Sequence, residues 1–144
     1  MAVFRFRLQK VLDYRENREK QLRRELSAAQ QNLGRAEAEL KTLKEKLATT
    51  GRNVQRQPFD PEQRLITDRY LTRLARRIHE QEEVVSDRRD EVARTMTAVQ
   101  NAIRDRKSLG LLREKSLAAF LRNLDLREQK QNDEYSLFGY HRRS

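Results

Sequence analysis

A chain of 144 residues has the length of one domain, yet only 36% of it is hydrophobic, 38% is charged and the formal net charge is +10, a balance that excludes a globular core of ordinary size. Just over half of the residues are Ala, Leu, Lys, Arg and Glu, the composition of long helices, whose narrow seams need few apolar positions. Cysteine is absent, which rules out disulfides, a thiolate nucleophile and a cysteine-based zinc site and fits a reducing compartment.

The opening Ala2-Val3-Phe4-Arg5-Phe6-Arg7 leads into no apolar run able to act as a signal segment or to span a bilayer; the expected location is cytoplasmic. Next comes the strongest pattern in the chain. Leu22, Leu26, Ala29, Leu33, Ala36, Leu40, Leu43 and Leu47 are separated alternately by four and three residues, a heptad seam that must be buried against another helix. The same spacing continues toward the N-terminus through Glu19, Arg15, Leu12 and Leu8, which places two charged layers inside the seam. Helix one is therefore predicted over about residues 6–47, supported locally by Glu16 with Lys20, Glu19 with Arg23 and Glu37 with Lys41, acid first and four apart.

The pattern lapses at Thr49-Thr50-Gly51-Arg52-Asn53, where Gly51 is a candidate helix stop, and Pro58 and Pro61 predict a connection over about 48–60. Asp60, Pro61 and Gln63 form a helix-start signature as N-cap, N1 and N3. Helix two is predicted over about 61–137, with Leu71, Leu74, Ile78, Val85, Val92, Met96, Val99 and Ile103 on its seam and Gln81 and Arg88 as polar interruptions. The step from Val92 to Ile103 does not fit whole heptads and predicts a stutter. Leu117 and Leu124 continue the later frame, Gly110 is a candidate kink, and a basic tail is expected over 138–144.

Two helices of unequal length with a short connection predict an elongated antiparallel hairpin, a single all-α coiled-coil domain. That register sets Leu8 opposite the region of Ile103 and Glu19 near Arg88, and leaves helix two uncovered beyond about Gly110. Three surfaces then stand out. Leu117, Phe120, Leu121 and Leu124 occupy i, i+3, i+4 and i+7 of the overhang, an apolar face of the kind a partner groove receives; self-association, or the N-terminus folding over it, are the alternatives. Tyr70 and Leu74 lie one turn apart amid Arg69, Arg73, Arg76 and Arg77, a setting for an acidic partner in which Leu74 also fits the seam. The run Phe4 to Glu16 (FRFRLQKVLDYRE) is more apolar than a seam requires.

Residues 1–57 carry 14 basic and 7 acidic side chains, and residues 58–144 carry 18 and 15. Such an excess suits nucleic acid, an anionic membrane surface or acidic proteins, and equally describes the solvated flanks of a coiled coil. Nothing points to catalysis. His79-Glu80-Gln81-Glu82-Glu83 lacks the second histidine of a helical zinc motif, the glycines at 34, 51, 110 and 139 are isolated, and no cleft gathers the carboxylates. The expectation is a non-enzymatic protein without cofactor, metal or small-molecule substrate.

At FRFRLQKVLDYRE, and again at REQKQNDEY over Arg127 to Tyr135, the chain resembles the FliJ family of flagellar protein-export components and, through it, the stalk proteins of injectisomes. The two long helices between these motifs match in length and order. The resemblance implies an antiparallel two-helix coiled coil similar to the central stalk, or gamma subunit, of rotary ATP synthases. It implies a component of the flagellar type III export apparatus that binds the hexameric export ATPase and its regulator, promotes ring assembly, links the ring to the membrane export gate and handles export chaperones. It would sit peripherally on the cytoplasmic face of the membrane at the flagellar base. By the same resemblance Phe4, Phe6, Leu8, Leu117, Phe120, Leu121 and Leu124 would meet the ATPase ring, and Tyr70 and Leu74 the gate. The alternatives are a basic coiled-coil protein that binds nucleic acid, disfavoured by acids interleaved with the bases and by missing stacking platforms, and a secretion chaperone that binds export substrates.

Overall fold

A computed structural model describes residues 2–143, without the side chain of residue 143; the last residue of the expected basic tail lies outside the described residues. Two helices account for almost all of them, α1 over Gln9–Arg56 and α2 over Pro61–Arg143, and no strand occurs among the described residues. The chain is an all-α antiparallel helical hairpin. By its packing it divides into two units, one formed by Gln21–Gln100 and the other by the residues up to Lys20 together with those from Asn101 onward.

Helix boundaries follow the backbone chemistry more closely than the apolar pattern. At the N-terminal end Gln9 N donates to Phe6 O at 3.1 Å and Leu12 N to Leu8 O at 2.9 Å, so a turn at Arg7 and Leu8 precedes the first helical residue. The expected stop at Gly51 does not occur. No glycine adopts the left-handed conformation that ends a helix, and α1 continues until Pro58, whose ring disfavours helical geometry in the residue before it. The connection shrinks to residues 57–60. Asp60 then caps α2 as expected, its Oδ1 accepting from Glu62 N at 3.1 Å and its carbonyl from Arg64 N at 2.9 Å. At the other end α2 does not give way to a tail at 138 but runs on to Arg143.

In the unit Gln21–Gln100 the buried residues Leu22, Ala29, Ala36 and Leu43 come from α1, and Leu74, Ile78, Val85 and Val99 from α2. Leu43, Leu74 and Ile78 form one cluster, with Leu40 and Leu47 packed against it. Gln81 is no defect in this seam. Its Nε2 donates across the hairpin to Ala36 O at 3.0 Å, an approach that the small alanine side chain permits, so a polar residue is accommodated with a partner. Exposed pairs flank the seam, Arg89 with Glu37 at 3.4 Å and Lys44 with Glu82 at 3.7 Å; at this exposure each contributes well under ~1 kcal/mol.

In the other unit Leu12, Glu19 and Ala102 are buried. Glu19 pairs with Arg106, Arg15 with Asp105 at 3.1 Å, and Arg113 Nε donates to Gln9 Oε1 at 3.0 Å. This corrects the expected register. Arg88 bonds Glu91 of its own helix at 3.2 Å instead of Glu19, and the level of Leu8 and Gln9 is met by Arg113 rather than Ile103. The reason is the longer α1: with the reversal at 57–60, each residue near the N-terminus faces a later position of α2. The two charged layers are real, each matched by an opposite charge from α2.

The seam of α2 also departs from expectation at its middle. Thr95 is half-buried and Ala102 buried, whereas Met96 is exposed, so burial follows Val92, Thr95, Val99, Ala102 and Arg106 in unbroken three-four steps and no stutter is needed. Thr95 turns its hydroxyl back to Glu91 O at 2.8 Å, which satisfies that polar group inside its own helix. Helix α2 likewise passes through Gly110. A Cβ built there meets nothing within 4 Å, so Gly110→Ala is expected to raise stability by up to about 1 kcal/mol through helix propensity, read as a higher melting temperature. A lower melting temperature would show that the helix uses its glycine as a hinge.

Candidate partner-binding site

The residues expected at the ATPase ring all belong to the unit that joins the residues up to Lys20 to those from Asn101 onward, and two of them meet there. Phe4 and Phe120 face each other with ring centroids 5.6 Å apart and a tilt of 54°, and the Arg113 guanidinium lies over the Phe4 ring at 5.5 Å. Phe6, Leu8, Leu117 and Leu124 are half-buried, and Leu121 is exposed. The expectation that Leu117, Phe120, Leu121 and Leu124 all lack intramolecular cover is thus overturned at Phe120. From Arg113 to Phe120 the α2 axis rises about 10 Å, which five helical residues ahead of Gln9 would not span; extended at about 3.3 Å per residue they reach it. The non-helical stretch before Gln9 is what lets Phe4 close over Phe120.

Phe4 and Phe6 share a groove with Arg5, Arg7, Lys10, Gln9 and Arg113. An aromatic pair ringed by four cations suits an acidic, partly apolar surface. Beyond Leu124 every described side chain of α2 is exposed, and here sequence reasoning missed two residues. Tyr135 and Phe138 stand eighteen positions after Leu117 and Phe120, about five full helical turns, so they repeat that pair on the same stripe. Both are about three-quarters exposed, at 75% and 74%. The signal was available in the eighteen-residue spacing but was hidden by Glu128 and Gln131 between them.

Tyr70 and Leu74 separate in role. Leu74 is 4% exposed and belongs to the Leu43–Ile78 cluster, so a partner cannot reach it without opening the hairpin. Tyr70 is exposed and lines a groove with Lys46, Arg73 and Arg77 above Leu43 and Leu74. No acid lines that groove, and none of its three cations has an ion-pair partner among the described residues. His79 pairs with Glu83 at 3.5 Å on an exposed face.

No described helix is long and apolar enough to cross a membrane, and no cluster of metal-ligand residues occurs among the described residues. Comparison with known proteins gives one result. The model of the family described as "Flagellar FliJ protein" matches residues 4–144, while neither curated proteins nor solved structures return a match. The matched span takes in the Phe4 motif, both helices and the segment Arg127 to Tyr135, and on that extent the chain belongs to the FliJ family and is a component of the flagellar protein export apparatus.

Proposed function

We propose that this chain is the stalk and coupling element of the export apparatus, acting through binding alone and without catalysis or cofactor. It binds the hexameric export ATPase and its regulator through the surface around Phe4, Phe6, Leu8, Leu117, Phe120, Leu121 and Leu124, and thereby promotes ring assembly. Tyr70, seated on Leu74 and surrounded by Lys46, Arg73 and Arg77, contacts the membrane export gate, and export chaperones are handled in transit. The protein works at the cytoplasmic face of the membrane at the flagellar base. The observation that supports this most is the extent of the family match, residues 4–144.

The direct experiment is retention of the purified export ATPase on the immobilised chain, with ring assembly followed by light scattering. Retention of chaperones or export substrates without the ATPase would favour a secretion chaperone instead. Tyr70→Ala is expected to weaken gate binding about tenfold or more, the effect of losing a desolvated aromatic anchor, while ATPase binding and the melting curve stay unchanged. Equal losses in both binding assays would mean that Tyr70 acts through the fold.

A further inference from the structure

The hairpin tip, which lies wholly within the unit Gln21–Gln100, carries apolar side chains that its seam does not use. Phe59 in the connection is 78% exposed, and Leu65 and Ile66 in the first turns of α2 are exposed as well, Ile66 at 66%. At this level the seam runs through Thr67, Leu71, Leu74 and Ile78. At 100° per residue Leu65, Ile66, Arg69, Arg73 and Arg76 fall on the side away from the seam, with Glu62 ahead of them, while Tyr70 and Arg77 lie on its flank beside Leu74. From Leu65 onward that side is first apolar and then cationic, with Tyr70 at its edge.

The cations are available for a ligand. Arg64 is paired with Asp68 at 3.4 Å and Asp60 is engaged as the cap. Arg52, Arg56, Arg69, Arg73, Arg76 and Arg77 have no ion-pair partner among the described residues. From Ile66 to Arg73 the axis rises about 10 Å, close to the depth over which an interfacial segment passes from the acyl boundary to the lipid phosphates.

We propose that this tip docks on an anionic lipid surface, with Phe59, Leu65 and Ile66 entering the interface, Tyr70 at headgroup level, and Arg52, Arg69 and Arg73 bound to lipid phosphates. A protein groove would have to enclose an apex whose Leu65 and Ile66 diverge by about 100° around the helix while Phe59 projects from the loop. A bilayer receives such an apex from every side. With three apolar side chains and no described helix able to span a bilayer, attachment through the tip is reversible and needs both the apolar and the cationic contribution. It goes beyond the gate contact assigned to Tyr70, because lipid alone suffices.

The chain has four tyrosines and no tryptophan, so Phe59→Trp places one tryptophan at the apex that can be excited selectively. With the full chain, its emission is expected to shift to the blue on vesicles containing phosphatidylglycerol and to stay unchanged on phosphatidylcholine alone. Arg69→Glu with Arg73→Glu in that background should weaken partition by at least about fivefold for each arginine, and Ile66→Ser should weaken it with all charges kept. Lys115→Glu with Arg122→Glu reverses as many charges elsewhere and should leave partition within about twofold. Circular dichroism on each sample checks the fold. No blue shift on anionic vesicles would overturn the proposal and leave the tip to an acidic protein partner; equal losses from the two charge-reversal pairs would overturn its location.

Discussion

Leu43→Asp is expected to open the helix pair and cost about 4 kcal/mol or more. Leu43 is 4% exposed against Leu74 and Ile78, with Leu40 and Leu47 completing the cluster. Truncating a buried leucine alone costs about 2–5 kcal/mol, and the aspartate adds a carboxylate that has no donor inside the seam. Lys46, Arg73 and Arg77 rim the groove above this position. They would draw the new carboxylate outward, which separates the helices instead of rescuing the contact. The same change at half-buried Leu33 should cost less, and at exposed Ile66 no more than about 0.5 kcal/mol. Chemical denaturation followed by circular dichroism measures all three. An order other than Leu43, Leu33, Ile66 would contradict the seam.

That ordering rests on a seam that was legible from residue spacing. Leu8, Leu12, Arg15, Glu19 and the run from Leu22 to Leu47 are buried or half-buried at the positions the heptads predict, because a period of 3.5 leaves a helix one face to hide. The Asp60 cap was legible for the same kind of local reason. What spacing could not supply was the length of α1. Gly51 lowers helix propensity by about 1 kcal/mol, but packing and the absence of a left-handed turn carry the helix past it, and the register of every facing pair moves with that extension. Arg106 as the partner of Glu19 follows from the new register.

The seam of α2 departs from the apolar pattern where chemistry and size disagree. Met96 is apolar and Thr95 is not, yet burial selects the small Thr95 and Ala102, which let the helices approach, over the longer methionine. The site was half legible. Phe4 and Phe120 both stand out as apolar, but their contact depends on a non-helical stretch before Gln9, of which the apolar pattern assigns residues 6–8 to helix. Leu74 was legible as seam, and its burial leaves Tyr70 as the accessible member of the pair.

The largest functional effect is expected from Leu121→Ser with Leu124→Ser. Leu121 is 51% exposed and sits one residue past the Phe4–Phe120 contact, so serine there removes apolar surface without opening a core. Apolar area buried against a partner contributes roughly 25 cal/mol per Å², so two leucines amount to a few kcal/mol before ordering costs. A residual loss of about 1.4 kcal/mol is already tenfold. Stimulation of ATP hydrolysis by the purified export ATPase is therefore expected to fall at least tenfold while the melting temperature stays close to that of the unmodified chain. Phe4→Ser and Phe120→Ser should behave differently, because the two rings pack on each other. Either change frees the other ring, so each should lower both stability and stimulation, and the double variant should be little worse than the singles, with a coupling of about 0.5–1.5 kcal/mol in a double-mutant cycle. Unchanged stimulation by the leucine variant would remove this face from the ATPase contact. A collapsed melting curve would instead make it part of the hairpin's own packing, and strict additivity of the phenylalanine changes would mean that Phe4 does not cover Phe120 in solution.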